Sequence, residues 1–147
     1  MNDFILKIRE FFTLLRYDFE SYFGALYDEL RLKWAIKLAE AKKRAYCKRY
    51  YVIRDYKERL TVVCNSDIKR LKKMHLMNAR ATHLDVMREC LYYTNVNDND
   101  AISVLPPKER AKRKAKWLES LEEYRRSKYE RRLKRLRAKK ARAYKKK

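Results

Sequence analysis

The sequence predicts an α+β fold that is predominantly helical, with one β-hairpin set between long helical segments. Three observations carry that expectation. Apolar residues alternate three and four apart from Ile5 through Ile8, Phe12, Leu15, Phe19 and Tyr22 to Leu26, a helical seam with coiled-coil spacing. Two β-branched and aromatic runs, Lys48 to Arg54 and Leu60 to Cys64, flank the charged stretch Asp55-Tyr56-Lys57-Glu58-Arg59. After Pro106-Pro107 the chain is dominated by Lys, Arg, Glu, Ala and Leu and contains neither Gly nor Pro, so intrinsic helix propensity is high.

The elements follow in order. Asn2 or Asp3 is placed to cap the first helix, and Phe11, Leu14 and Phe23 widen its stripe beyond a two-stranded seam. Gly24 allows a bend between helices at about 3–23 and 25–46. A single long helix is the alternative, because Leu26, Leu30, Trp34, Leu38, Ala41 and Ala45 keep helical spacing. The hairpin, about 48–65, needs no glycine if its loop is built on a type I turn. One face of it must be covered, by the Trp34/Leu38 helix or by the helix that follows. Asn65-Ser66-Asp67 caps a helix over about 66–77, and a weaker helix runs from Leu84 to about Tyr92. The polar cluster Asn95 to Asp100 and Pro106-Pro107 punctuate the chain, dividing it into a folded domain at 1–105 and a basic helical tail at 106–147. The tail is expected to fray after Leu136, where its cations repel one another.

Composition bounds the function. The 147 residues carry 40 Lys+Arg against 19 Asp+Glu, a formal charge of +21. Residues 1–30 hold three bases and six acids, residues 31–107 seventeen and eight, and residues 108–147 twenty and five, so the charge climbs steeply toward the C-terminus. One Gly and two Pro exclude the glycine-rich phosphate loops of nucleotide-binding enzymes. Cys47, Cys64 and Cys90 are an odd number without close spacing, which favours a reducing setting over a disulfide framework. The N-terminus lacks the pattern of a secretory signal, and no stretch approaches the ~20 apolar residues of a transmembrane helix.

The strongest functional signal is the tail. Its candidate nucleic-acid-binding residues are Lys112, Arg113, Lys114, Lys116, Trp117, Arg125, Arg126, Lys128, Tyr129, Arg131, Arg132, Lys134, Arg135, Arg137, Lys139, Lys140 and Arg142. The cations serve phosphates, while Trp117, Tyr124, Tyr129 and Tyr144 offer faces for unpaired bases. Lys42, Lys43, Arg44, Lys48, Arg49, Arg54, Lys69, Arg70, Lys72 and Lys73 form a second patch around the hairpin. There Tyr50 or Tyr51 would stack on a base if either faces outward, with the core as the more ordinary place for both. Cys64, His75, His83 and Cys90 have no zinc-finger spacing, and Asp98-Asn99-Asp100 lacks the glycine of a calcium loop, so neither metal nor cofactor is expected. No residue sits in a nucleophile setting, and Asp28-Glu29 and Glu122-Glu123 point about 100° apart on a helix, which argues against an enzyme.

The stretch from about Trp34 to Thr94, with KRYYVIRDYKERLTVVCNSDIKRLKKMHLM and then RECLYYT, resembles small basic proteins encoded by phages of gut Bacteroidetes, Microviridae-type phages included. A tyrosine-rich strand, a polar turn, a second apolar strand, a Lys-rich capped helix and a basic tail occur there in the same order. The glycine expected in the hairpin turn is missing here. The resemblance brings no activity, but it implies a host-cell cytoplasm or a virion as the setting and DNA as the favoured nucleic acid. The expected function is therefore sequence-tolerant nucleic-acid binding, in genome condensation or packaging. Self-association or protein docking would use the aromatic N-terminal helix. The alternative is a non-enzymatic scaffold whose tail grips an acidic protein.

Overall fold

A computed structural model describes residues 2–55, 58–95 and 105–144, with side chains from residue 4 onward. The Asn2/Asp3 cap, Tyr56-Lys57 of the hairpin loop, the Asp98-Asn99-Asp100 cluster and Lys145 to Lys147 lie outside the described backbone or side chains. Among the described residues seven elements run in chain order: α1 (Asn2–Tyr46), β1 (Tyr50–Arg54), β2 (Leu60–Cys64), α2 (Asn65–Lys73), α3 (His83–Glu89), β3 (Tyr92–Tyr93) and α4 (Pro107–Tyr144). The α+β, predominantly helical expectation holds, with a hairpin, a capped helix and a long basic C-terminal helix in the predicted order. No helix among the described residues is long and apolar enough to cross a membrane.

The chain forms two compact units. Glu29–Trp117 is a sheet unit, and Met1–Asp28 with Leu118–Lys147 is a helical unit. The grouping differs from a division at residue 105, because the first turns of α4 are packed within the sheet unit.

In the sheet unit β1 is central in the order β2-β1-β3, with both neighbours antiparallel. Tyr51 lies opposite Val63 and Tyr93, and Val52 opposite Val62 and Tyr92. Successive side chains of a strand point to opposite faces. Tyr51, Val63 and Tyr93 accordingly share a core with Ile68 of α2 and Val86 and Met87 of α3. On the other face the Tyr92 hydroxyl donates to Glu40 Oε1 at 2.6 Å, and Lys42 Nζ lies 5.8 Å from the Tyr50 ring centre. Both faces are covered, so Tyr50, Tyr51 and Val52 are all buried. Both expected covers are present, the following helix α2 on the core face and α1 on the other, where α1 contributes Glu40 and Lys42 instead of Trp34 and Leu38. Leu32 and Ala39 are buried whereas Trp34 and Leu38 are exposed.

The strand β3 corrects the helix expected from Leu84 to Tyr92. Thr82 opens α3 with a capping box in which Asp85 N–H donates to Thr82 Oγ1 at 3.3 Å and Thr82 N–H to Asp85 Oδ2 at 2.7 Å. The helix stops at Glu89, and Cys90 turns extended. Leu91 N–H then donates to Val52 O and Thr94 N–H to Tyr50 O, both at 2.9 Å. The open edge of β1 needs ladder partners, and the Tyr92-Tyr93 pair suits a strand better than a helix.

Similar corrections apply to α2. Its cap position is Cys64, one residue earlier than expected, whose N–H donates to Asp67 Oδ2 at 3.0 Å. The helix ends at Lys73 instead of Met77 in a Schellman motif. His75 takes a left-handed φ of 57°, His75 N–H donates to Lys72 O at 3.1 Å and Leu76 N–H to Leu71 O at 3.0 Å. Cys47 closes α1 in the same left-handed region, with φ 51°. In the hairpin loop Glu58, at φ 59°, holds the position where glycine would be expected. Asp55 secures the loop by accepting from Arg59 N–H and Arg59 Nε, both at 2.9 Å.

The one glycine of the chain serves something else. α1 passes through Gly24 without interruption, so the single-helix alternative is the observed one. A Cβ at Gly24 would sit 2.8 Å from Arg125 Cζ, which places the glycine under the guanidinium that pairs with the buried Asp28 carboxylate. Tyr17 stacks on Tyr129 with ring centres 4.6 Å apart. Numbers falling along α1 meet numbers rising along α4, so the two segments of the helical unit run antiparallel. The expected fraying after Leu136 is also corrected, since α4 is helical to Tyr144. Uninterrupted helix formers outweigh the mutual repulsion of exposed, solvent-screened cations.

Candidate nucleic-acid interface

The helical period of α4 sorts the tail cations into those that hold the protein together and those that face water. Lys128, Arg132, Arg135, Lys139 and Arg142 recur four and three apart with Arg131 beside them, which places all six within one side of the helix over about 21 Å. All six are exposed. Arg131 is steadied by donating from Nε to Ser127 O at 3.2 Å and from Nη2 to Ser127 Oγ at 3.1 Å. Tyr124, 53% exposed, stands on the same side one turn before Lys128. Arg132, Arg135, Leu136, Lys139 and Arg142 line a shallow groove of about 400 Å³. The field of the row is felt across the helical unit. Glu20 is held below the usual carboxylate range, first by its hydrogen bond from Arg16 and also by the charges of Lys128 and Arg132.

Other predicted tail residues have structural tasks. Trp117 is 1% exposed and belongs to the interior, so it leaves the set of base-stacking candidates. Arg113 Nη1 donates to Met87 O and Cys90 O, both at 2.7 Å, closing the C-terminal carbonyls of α3, and Arg113 Nε pairs with Glu109 at 3.3 Å. Lys114 pairs with Glu29 at 3.2 Å, Arg125 pairs with Asp28, and Tyr129 is stacked on Tyr17. Arg126 lies 3.9 Å from Glu122. Lys134 and Arg137 are exposed outside the row, and Lys140 is half-buried.

Within the sheet unit Lys112 and Lys116 are exposed at a cavity of about 560 Å³. Arg54 and Arg88 share its rim, and Met77, Val86, Leu91 and Trp117 form its apolar wall. Of the second patch, Lys48, Lys69, Arg70 and Lys73 are exposed, as is Arg44. Lys43 is half-buried in the last turn of α1, where its charge faces the negative end of the helix dipole. Arg49 donates to Thr94 O at 3.2 Å and to Met87 Sδ at 3.7 Å, Lys72 to Ala81 O, and Arg54 pairs with Glu58 at 3.5 Å. Tyr50 and Tyr51 are core residues, so neither is presented to a base. Arg88 had no sequence signal, because a lone cation on a short helix looks like any solvated residue.

The remaining candidates are dispersed. Cys64 and Cys90 are buried, whereas His75 and His83 are exposed. Among the described residues no group of three or more His, Cys, Asp or Glu side chains comes together around a metal position. Burial pushes the Cys90 thiol up to about 11, against the opposing charge of Arg113. Set against protein-family models, curated proteins and solved structures, the chain matches none of them.

Proposed function

We propose that the protein binds nucleic acid with little sequence preference through the exposed cationic side of α4. The observation that carries this reading is the row Lys128, Arg131, Arg132, Arg135, Lys139 and Arg142, six exposed cations in register on one helix side. Duplex phosphates rise about 3.4 Å apart along each strand, so a row of about 21 Å spans roughly six of them. The row presents charge to phosphates and no set of polar groups arranged for base edges, which fits positioning without readout. Tyr124, at the head of the row, supplies a stacking face where bases are unpaired. In the phage setting implied by the resemblance, such binding would serve condensation or packaging of the genome.

Fluorescence anisotropy of single- and double-stranded oligonucleotides against salt tests the proposal. Replacing Arg132, Arg135, Lys139 and Arg142 together by Gln removes four phosphate contacts. The log-log salt slope on duplex should become shallower by about three to four. Absence of binding at low salt, or a slope unchanged by the four substitutions, overturns the reading. Retention of a stable acidic protein after nuclease treatment would transfer the row to the scaffold alternative.

A further inference from the structure

The helical unit leaves its most apolar surface uncovered. The side of α1 that meets α4 carries Thr13, Tyr17, Gly24 and Asp28, whereas the seam Ile8, Phe12, Leu15, Phe19, Tyr22 and Leu26 is centred on the other side of the helix, and its Phe12, Leu15 and Phe19 form one wall of an open groove of about 620 Å³ that Arg132 and Leu136 of α4 also line. These six side chains are between 38% and 69% exposed, and the flanking Phe4, Phe11 and Phe23 between 51% and 69%. With about 200 Å² for each large side chain, the stretch from Phe4 to Leu26 exposes on the order of 1,000 Å². The largest apolar patch on a typical monomer is about 300–600 Å², while a stable interface takes about 800 Å² from each partner.

We propose that a second copy of this chain covers that surface, with the two α1 helices packed antiparallel about a two-fold axis. Period, volume and charge each point to this occupant. Alternation of three and four residues over about six turns asks for another helix of the same period. In the antiparallel register whose paired residue numbers add to 27, Ile5 meets Tyr22, Ile8 meets Phe19, and Phe12 meets Leu15 of the second copy. Each layer then combines one aromatic with one aliphatic side chain, and the self-complementary order makes the interface isologous. A parallel pair would instead set Phe12 on Phe12, Phe19 on Phe19 and Tyr22 on Tyr22. Two chains of +21 repel, and residues 1–30, with three bases and six acids, are the segment where they approach at least cost.

Sedimentation equilibrium of the full chain, nuclease-treated and held at about 0.5 M salt so that nucleic acid cannot bridge copies, is the first test. A dimer is expected, and Phe12→Glu with Phe19→Glu should raise its dissociation constant at least about 100-fold with helix content unchanged. A monomeric wild-type chain overturns the proposal, as does a dimer indifferent to both substitutions. Cross-linking supplies a second measurement that does not depend on how the charged variant folds. In a Cys47→Ser background, mixed Ile8→Cys and Phe19→Cys chains should form a disulfide-linked heterodimer faster than either chain links to itself. Faster self-linking of Ile8→Cys contradicts the antiparallel register. A monomer that cosediments with phosphatidylglycerol vesicles would give the face to lipid instead.

Discussion

Two aromatic runs of this chain meet opposite fates. Tyr50-Tyr51-Val52 in the sheet unit is buried throughout, while Phe11-Phe12 in the helical unit is 59% and 63% exposed. Hydrophobicity does not explain the difference, since phenylalanine is the less polar ring. The strand sends consecutive residues to both faces of the sheet, and α2 and α3 cover one face while residues of α1 lie against the other. A helix presents one stripe at a time, and α4 has taken the polar and small one. Arg125 reaches Asp28 across Gly24, and Tyr129 finds Tyr17. Periodicity therefore identifies a face without saying which face the chain itself will fill.

The largest effects should separate the two runs by stability. Val52→Asp places a carboxylate at a position 0% exposed and should cost at least about 4 kcal/mol, abolishing the cooperative transition of the sheet unit. Phe12→Asp should change stability by no more than about 0.5 kcal/mol in urea unfolding at concentrations too low for association. If Phe12→Asp were as damaging as Val52→Asp, the stripe would belong to an intramolecular core and the comparison would fail.

A second contrast concerns aromatic residues that the sequence treats alike. Trp117→Ala should cost about 3–5 kcal/mol, because it hollows the interior of the sheet unit. Tyr124→Ala should leave the unfolding midpoint in place and weaken single-stranded oligonucleotide binding by about 1–3 kcal/mol, the loss of one stacked base. Weaker binding by Trp117→Ala without loss of stability would return that residue to the interface.

The order and type of the long elements were legible in the sequence because 3.6-residue and two-residue periods are properties of the chain itself. The short elements were less so. β3 exists because the edge of β1 offers partners to Leu91 and Thr94, a condition that no local pattern at Tyr92-Tyr93 states. The end of α1 at Tyr46 falls where expected, but that of α2 was blurred because its left-handed cap falls on His75, where no glycine announces it. For the candidate interface, the sequence supplied the cations but not their division. Arg113 and Arg125 look like Arg132 and Arg135 until carbonyls and a buried carboxylate select them.

Gly24→Ala should sharpen the account of the helical unit. Alanine favours a helix interior by about 1 kcal/mol, but its Cβ would displace the Arg125 guanidinium from Asp28. Loss of a buried pair costs up to about 3 kcal/mol, so the net change should be destabilising by about 1–2 kcal/mol. Arg125→Met, which removes the charge and keeps most of the side-chain volume, should suppress most of that penalty for a subsequent Gly24→Ala. A stabilising Gly24→Ala in the wild-type background would show that the pair contributes less than helix propensity.

Alkali should act on the sheet unit through its buried thiol and phenols, of which Tyr50 and Tyr51 are raised by burial and Cys90 and Tyr92 are shifted far. The Cys90 thiol rises from 9.0 to about 11 through burial, and the Tyr92 phenol from 10.0 to about 12 through burial and its hydrogen bond to Glu40. Both groups keep their protons when folded at a pH where the unfolded chain releases them. Stability should consequently fall as pH climbs from about 9 to about 12. Tyr92→Phe should remove the upper part of that fall. An urea midpoint that stays level over this range would mean that both groups are accessible.

The smallest effect concerns the hairpin turn. Glu58 holds a left-handed φ of 59°, a conformation that costs an L-residue about 1–2 kcal/mol and glycine almost nothing. Its pairing with Arg54 at 3.5 Å is solvent-exposed and offsets little of that strain. Glycine also adds freedom to the unfolded chain, which takes back part of the gain. Glu58→Gly should therefore raise stability by about 0.5–1 kcal/mol, and Glu58→Asn by somewhat less, read as a shift of the urea midpoint without change in slope. A destabilising Glu58→Gly would mean that the loop is held by its side chains, with Asp55 and Arg59 as its fastening. In that case Asp55→Ala, which removes both 2.9 Å bonds from Arg59, should be the more damaging of the two.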